Sequence, residues 1–155
     1  MLHQNDPALK KRPSIATHGC YFRAIGALCE MQAGKSLTAQ QIIEMYDWCI
    51  DHDAIVDERG RQAFIMRPDT VGQAAQHYLG MPQTFQAVYR RSIAGYDNRD
   101  FLTHDQPTAW LAMGSIKGAG IMHFWVTDQL RNEIWDPLSP SREKLEIASV
   151  RGFVL

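Results

Sequence analysis

The residue best suited to chemistry is Cys20, in the run His18-Gly19-Cys20-Tyr21-Phe22-Arg23. A helix is predicted from about residue 19 to residue 32, because apolar residues recur at helical spacing: Cys20, Ala24, Ala27, Leu28 and Met31. A thiol at the start of a helix lies among unpaired amide N–H groups and at the positive end of the helix dipole, and both stabilise a thiolate. The alternative is that Cys20 is simply a small apolar residue of the buried stripe.

A histidine and an aspartate complete the chemistry that a nucleophilic cysteine needs. His123 opens the apolar run Met122-His123-Phe124-Trp125-Val126-Thr127, and Asp136 closes the next run, Glu133-Ile134-Trp135-Asp136-Pro137. If the two runs are strands of one hairpin that turns within residues 128–132, His123 and Asp136 come side by side. A carboxylate beside an imidazole fixes its tautomer and stabilises its charged form. Taken separately, each residue has a structural alternative. His123 could be a partly buried histidine whose hydrogen bonds are satisfied, and Asp136 could be the first residue of a turn-forming Asp-Pro pair.

In this order, the three residues resemble the papain-like cysteine peptidase superfamily. Within it, the pattern is similar to the small bacterial and phage branch that includes the double-glycine leader peptidases, and the Gly-Cys-Tyr-Phe-Arg start is similar to small phage- and plasmid-borne proteins. The resemblance extends from residue 18 to residue 137 and implies a Cys20–His123–Asp136 triad. Gly120 lies three residues before His123, where the branch has a glycine directly before the histidine.

The resemblance also implies an oxyanion hole, for which the family uses a glutamine about six residues before the cysteine. That position is Ser14 here, and Gln4 is too far upstream to match the motif. We therefore expect the Cys20 backbone N–H as one donor, and the second from among Ser14, Thr17 and His18. Without a second donor, a loss of roughly 100- to 1000-fold in rate is typical.

The implied activity is hydrolysis of an amide bond by a cysteine peptidase or amidase that needs no cofactor and no metal. The substrate class is a peptide or protein, a cell-wall stem peptide or a glutamine side chain. One alternative is a deamidase or acyl transferase on the same site. Another is a catalytically inactive papain-like module that binds a protein through exposed Trp110, Trp125 or Trp135.

The remaining patterns predict one α+β domain over residues 1–155, with helices first and a largely antiparallel sheet afterwards. Residues 1–17 are expected to be irregular, because Pro7 and Pro13 discourage helix. A second helix is predicted after the capping box Thr38-Ala39-Gln40-Gln41, and a third from Asp69 as N-cap to about residue 79. Strands are predicted near 84–89, 108–113, 122–127, 133–135 and 151–155, with one or two short ones within 54–66 that turn at Arg59-Gly60.

Composition and charge exclude several partner classes. Sixteen Lys and Arg against seventeen Asp and Glu give a formal net charge of -1, so no nucleic-acid or membrane surface is expected. No apolar run approaches the roughly 20 residues that span a bilayer, and the N-terminus lacks a signal-peptide core, which favours the cytoplasm and leaves signal-independent export open. Cys20, Cys29 and Cys49 contain no C-x-x-C pair and favour a reducing compartment. The Cys49-x-x-His52 spacing supplies too few ligands for a metal site.

Overall fold

A computed structural model describes residues 1–58, 62–93 and 100–155. Its described helices begin with a short 3-10 helix, Pro7–Leu9, followed by four α-helices: α1 (Pro13–His18), α2 (Cys20–Ala33), α3 (Ala39–Asp51) and α4 (Pro68–Tyr78). Thr38 and Gln41 form the predicted capping box at the start of α3. Gly34 ends α2 with a φ of 65°, in the left-handed region that glycine adopts at little cost.

The described strands form two antiparallel sheets. A small one pairs β1 (Ile55–Asp57) with β2 (Ala63–Ile65). The large one has the order β4-β3-β8-β5-β6-β7, in which every neighbouring pair is antiparallel. Its strands are β3 (Gln86–Ser92), β4 (Phe101–Leu102), β5 (Ala109–Ile116), β6 (Met122–Thr127), β7 (Glu133–Trp135) and β8 (Lys144–Val154).

The core lies where the helices pack on the large sheet, so the predicted α+β class is confirmed. Helix α2 contacts α4 on one side and β6 on the other. Its apolar residues meet side chains from the sheet in one continuous cluster, whose most buried members include Phe22, Ile25, Leu111, Val126 and Phe153. This packing fixes the first turn of α2 beside β6.

Three predicted details are wrong. Residues 1–17 are not irregular throughout, because Pro7 and Pro13 each stand at the start of a helix, where a missing N–H costs nothing and a fixed φ is favourable. Asp69 is not an N-cap: α4 starts at Pro68, and the Asp69 carboxylate accepts a hydrogen bond from the Ala87 amide at 2.6 Å. The last strand begins at Lys144 and not near residue 151.

The predicted turn at Arg59-Gly60 lies outside the described residues. Among the helices that the structure describes, none has both the length and the apolar composition needed to cross a bilayer.

Candidate active site

Cys20 is the first residue of α2, directly after a break in the helical path. Helix α1 ends at His18, and the Gly19 amide donates to the Ile15 carbonyl at 2.9 Å. A Cβ on Gly19 would lie 2.3 Å from that carbonyl oxygen, so only glycine fits this approach. The glycine before the cysteine therefore allows α1 and α2 to meet at a bend instead of forming one straight helix.

The bend leaves hydrogen-bond donors at the start of α2. Among the described residues, no backbone carbonyl accepts a hydrogen bond from the amides of Cys20, Tyr21 or Phe22. In a continuous helix, the Cys20 amide would donate to the Ala16 carbonyl. That carbonyl instead accepts from the side-chain amide of Gln4, at 3.0 Å. The Cys20 N–H is thus available beside its own thiol, which is partly exposed.

The predicted hairpin carries the other two residues. Strands β6 and β7 pair with Val126 opposite Trp135, and Asp128 closes the turn by accepting from the amides of Leu130 and Asn132. Asp136 follows the last residue of β7 and reaches along β6 to His123. Both residues are buried, at 3% exposure each.

The His123 ring lies between Asp136 and Cys20. Its Nε2 is 2.6 Å from Oδ1 of Asp136, which leaves Nδ1 for the Cys20 thiol, whose interaction with the ring contributes to its raised pKa. Burial alone would disfavour the imidazolium, but the interactions with Asp136 and Cys20 outweigh it and raise the pKa of His123 to about 9. A pKa in this range favours the charged imidazolium at neutral pH.

Asp136 is held by several donors besides His123. Its Oδ1 accepts from the Leu138 amide at 2.8 Å, and its Oδ2 accepts from the Ser141 hydroxyl at 2.9 Å and from the Lys144 ammonium. Burial opposes the charged carboxylate, but the bonds from His123, Lys144 and Leu138 outweigh it and hold the pKa of Asp136 well below its usual value. No local pattern in the sequence marked Ser141 or Lys144, because both reach Asp136 only through the loop that leads into β8.

Gln4 reaches the site from the N-terminal segment. The Gln4 backbone amide donates to the Pro137 carbonyl at 2.7 Å, and His3 stacks on Trp135, with Nδ1 2.9 Å from the Asp136 carbonyl oxygen. These contacts bring a buried glutamine, 4% exposed, against the bend before Cys20. Its Oε1 is buried without a partner. Spacing along the chain excluded this residue, although the fold brings its side-chain amide to the Ala16 carbonyl near the end of α1.

The three residues predicted as possible oxyanion donors, Ser14, Thr17 and His18, lie in different surroundings. The Ser14 side chain is buried beside Tyr46, and the exposed Thr17 hydroxyl donates to the Pro13 carbonyl within its own helix, at 3.1 Å. His18 is half-buried at the end of α1. The Thr17 hydroxyl is therefore already bonded within α1.

The other two cysteines belong to the core. Cys29 and Cys49 are both fully buried, and burial raises the pKa of each thiol to about 12. His52 stacks on exposed Trp48 at the end of α3, away from the buried Cys49 thiol. Within residues 1–58, 62–93 and 100–155, no group of three or more His, Cys, Asp or Glu could hold a metal ion.

The tryptophans suggested as binding anchors lie in different surroundings. Trp125 is only 1% exposed and stacks beside His123, with the Lys144 ammonium 5.4 Å from its ring centre, so it is not available to a partner. Trp110 and Trp135 are half-buried. Trp48, which the sequence analysis did not single out, is the more exposed indole at 40%.

Comparisons of the chain with protein-family models, with curated proteins and with solved structures found no match.

Proposed function

We propose that this protein is a cysteine hydrolase of amide bonds, a peptidase or amidase of the papain-like type. The observation that carries the proposal is the His123 ring, which is hydrogen-bonded to the Asp136 carboxylate and whose pKa is raised by both Asp136 and Cys20. Buried Asp136 orients the imidazole and stabilises its charge, which is the task of the third member of a triad. Cys20 stands where unpaired amides favour a thiolate.

The reaction follows from these positions. The Cys20 thiolate attacks the amide carbonyl carbon, and the resulting tetrahedral oxyanion collapses as the C–N bond breaks. His123 gives its proton to the leaving amine, and a thioester remains on Cys20. Water then attacks the thioester while His123 takes its proton, and the carboxylic acid leaves as the Cys20 sulfur is released.

The oxyanion donors in this proposal are the Cys20 backbone N–H and the side-chain amide of Gln4. The Ala16 carbonyl, which accepts one N–H of Gln4, points from α1 toward the start of α2. The second N–H of the same amide is then available beside the Cys20 N–H. Two such donors are the usual number for acyl transfer.

The location proposed for this activity is the cytoplasm. None of the three cysteines takes part in a disulfide, and Cys29 and Cys49 are buried in the core. A catalytic thiol is best preserved in a reducing compartment.

The thiol–imidazole pair is tested by the pH dependence of iodoacetamide labelling, followed separately for each cysteine by mass spectrometry. An ordinary thiol gains about tenfold in rate per pH unit below its pKa, whereas an ion-paired Cys20 gives a nearly flat shoulder from about pH 5 to 7. The H123A variant should lose the shoulder, and H77A, at an exposed histidine of α4, should keep it. A steep rise for wild-type Cys20 through this window would exclude a resting ion pair.

Hydrolysis is tested with a peptide library derived from a bacterial proteome, digested with wild type or with C20A and read by mass spectrometry. New peptide termini should appear with the wild type and be absent with C20A. If both proteins leave the library equally intact while Cys20 retains its shoulder, peptide hydrolysis is excluded and the deamidase or transferase alternative becomes the better one.

A further inference from the structure

An arginine cluster adjoins the proposed catalytic pair and consists of Tyr21, Phe124 and Arg151. The rings of Tyr21 and Phe124 stack with their centres 4.2 Å apart. The guanidinium carbon of Arg151 lies 4.5 Å from the Tyr21 ring centre and 4.6 Å from that of Phe124. The cation thus rests against both rings, a favourable contact for a guanidinium.

Two members of the cluster are the chain neighbours of the proposed catalytic residues. Tyr21 directly follows Cys20 at the start of α2, and Phe124 directly follows His123 on β6. Successive side chains of a strand project from opposite faces of the sheet, so Phe124 lies on the face opposite to His123, and the cluster adjoins the catalytic pair through Tyr21, the neighbour of Cys20. Arg151 comes from β8, where it pairs with Leu111 of β5. It is half-buried.

The charge of Arg151 is not matched from within the protein. In the described part of the chain, no carboxylate forms an ion pair with Arg151 and no acceptor bonds its guanidinium. Its Nε is buried without a hydrogen-bond partner. Arg90 of β3 lies directly opposite Arg151, so both side chains project from the same face of the sheet. The Nη atoms of Arg151 are not among the buried atoms, so they can donate to an anion that approaches from outside.

We propose that Arg151 binds a carboxylate of the substrate, so that the enzyme acts on amides close to a free carboxylate. This inference rests on the proposed function, because the arginine cluster directs a substrate only if Cys20 is the nucleophile. The planar guanidinium presents paired N–H groups that match a carboxylate. An acidic side chain and a chain terminus both offer that group.

The test uses alkylating probes that differ in charge and reach, because each carries its group directly to Cys20. N-iodoacetylglycine and N-iodoacetyl-β-alanine carry a terminal carboxylate, N-iodoacetyl-aspartic acid α-amide carries a side-chain carboxylate, and N-iodoacetylglycinamide is the neutral reference. The wild type should alkylate at Cys20 roughly tenfold faster with at least one anionic probe than with the reference, since hydrogen bonds to charged groups are the stronger ones. The fastest probe identifies the kind of carboxylate.

Variants assign that preference to one residue. R151Q should lose it, R151K should keep part of it as a point charge, and R91Q should keep all of it, because Arg91 is an exposed arginine that follows Arg90 on β3 and projects from the other face. No anionic preference in the wild type would overturn the inference without any variant, and so would an unchanged preference in R151Q. A steep iodoacetamide profile together with an Arg151-dependent preference would instead contradict the proposed function and leave the carboxylate site standing.

Discussion

At the residue scale, Asp136 uses both carboxylate oxygens. Oδ1 accepts hydrogen bonds from the His123 ring and the Leu138 amide, while Oδ2 accepts them from the Ser141 hydroxyl and the Lys144 ammonium. Lys144 is itself fixed by Glu133 at 2.8 Å. A carboxylate with this many donors keeps its charge and its orientation, so that His123 is held with one nitrogen toward Cys20.

Replacing Asp136 with asparagine tests that role. D136N keeps the shape but removes the charge, so the pKa of His123 should fall from about 9 toward its ordinary value, because only the interaction with Cys20 then opposes burial. Amide hydrolysis should fall roughly 100-fold or more, because the imidazolium is no longer stabilised. The His123 titration is read by NMR of its ring protons. D105N, at an exposed aspartate, should leave both quantities unchanged, and an unaltered His123 titration in D136N would contradict the argument.

At the scale of the elements, the bend between α1 and α2 determines where the donors lie. The Ala16 carbonyl accepts a hydrogen bond from the Gln4 side chain, whereas in a straight helix it would accept one from the Cys20 amide. The N-terminal segment is in turn held by buried Arg23, whose guanidinium donates to the Leu2 carbonyl and to Glu30. The same helix that presents Cys20 therefore also positions the segment that carries Gln4.

Gln4→Met separates the oxyanion role from a structural one. Methionine has similar length but no N–H, so the rate of amide hydrolysis should fall roughly 100- to 1000-fold. Alkylation by iodoacetamide forms no oxyanion, and the pH shoulder of Cys20 labelling should therefore be retained. Loss of the shoulder together with the activity would show that Gln4 only maintains the fold of the site. Q83A, at an exposed glutamine, is the control and should keep full activity.

Gly19, at the bend between α1 and α2, is the subject of a second prediction at this scale. In G19A the new Cβ would meet the Ile15 carbonyl oxygen at 2.3 Å, so α1 and α2 must move apart. The free energy of unfolding should fall by about 2 kcal/mol or more, as for other steric conflicts with backbone. In G120A the Cβ would meet nothing within 4 Å, and urea unfolding of that variant should match the wild type to about 0.5 kcal/mol. Equal stability of the two variants would show that the bend tolerates a side chain.

The elements also show which features the sequence predicts. The capping box of α3, the start of α2 at Cys20 and the β6–β7 hairpin depend on neighbours along the chain, and all three predictions are confirmed. Gln4, Lys144 and the first half of β8 were missed, because contacts between distant segments place them. Residues Lys144–Glu146 alternate in a mostly polar pattern that gives no strand signal until β8 is paired with β5.

At the scale of the whole molecule, both ends of the chain meet at the site. Residues 3–5 run along the loop after β7, and β8 lies between β3 and β5 in the sheet, where it carries Lys144 at one end and Arg151 near the other. The proposed chemistry therefore depends on the complete domain, and the ionisation of the site is coupled to global stability.

This coupling predicts how stability changes with pH. The pKa of His123 is about 9 in the folded protein and about 6.5 when unfolded, so its contribution is fully present below pH 6.5 and is lost as pH rises through 9. Asp136 has a lowered pKa, so its contribution is present above about pH 4 and is lost on acidification. The stability that the pair confers should be greatest between about pH 4 and 6.5.

Urea unfolding of C20S and of C20S/H123Q at pH 6.5, 7.5, 8.5 and 9.5 isolates the histidine, because neither serine nor glutamine titrates and most other groups titrate alike in both proteins. Cys20 is removed because a thiol that gives up its proton while His123 holds one would cancel the pH dependence of the pair. A shift of about 2.5 pH units corresponds to roughly 3 kcal/mol, and part of that shift comes from Cys20, so the difference in unfolding free energy between the two proteins should shrink by less than that amount across the series. The loss should follow the NMR titration of His123 in C20S. A difference that stays constant from pH 6.5 to 9.5 would mean that Asp136 does not hold a proton on His123 in the folded protein.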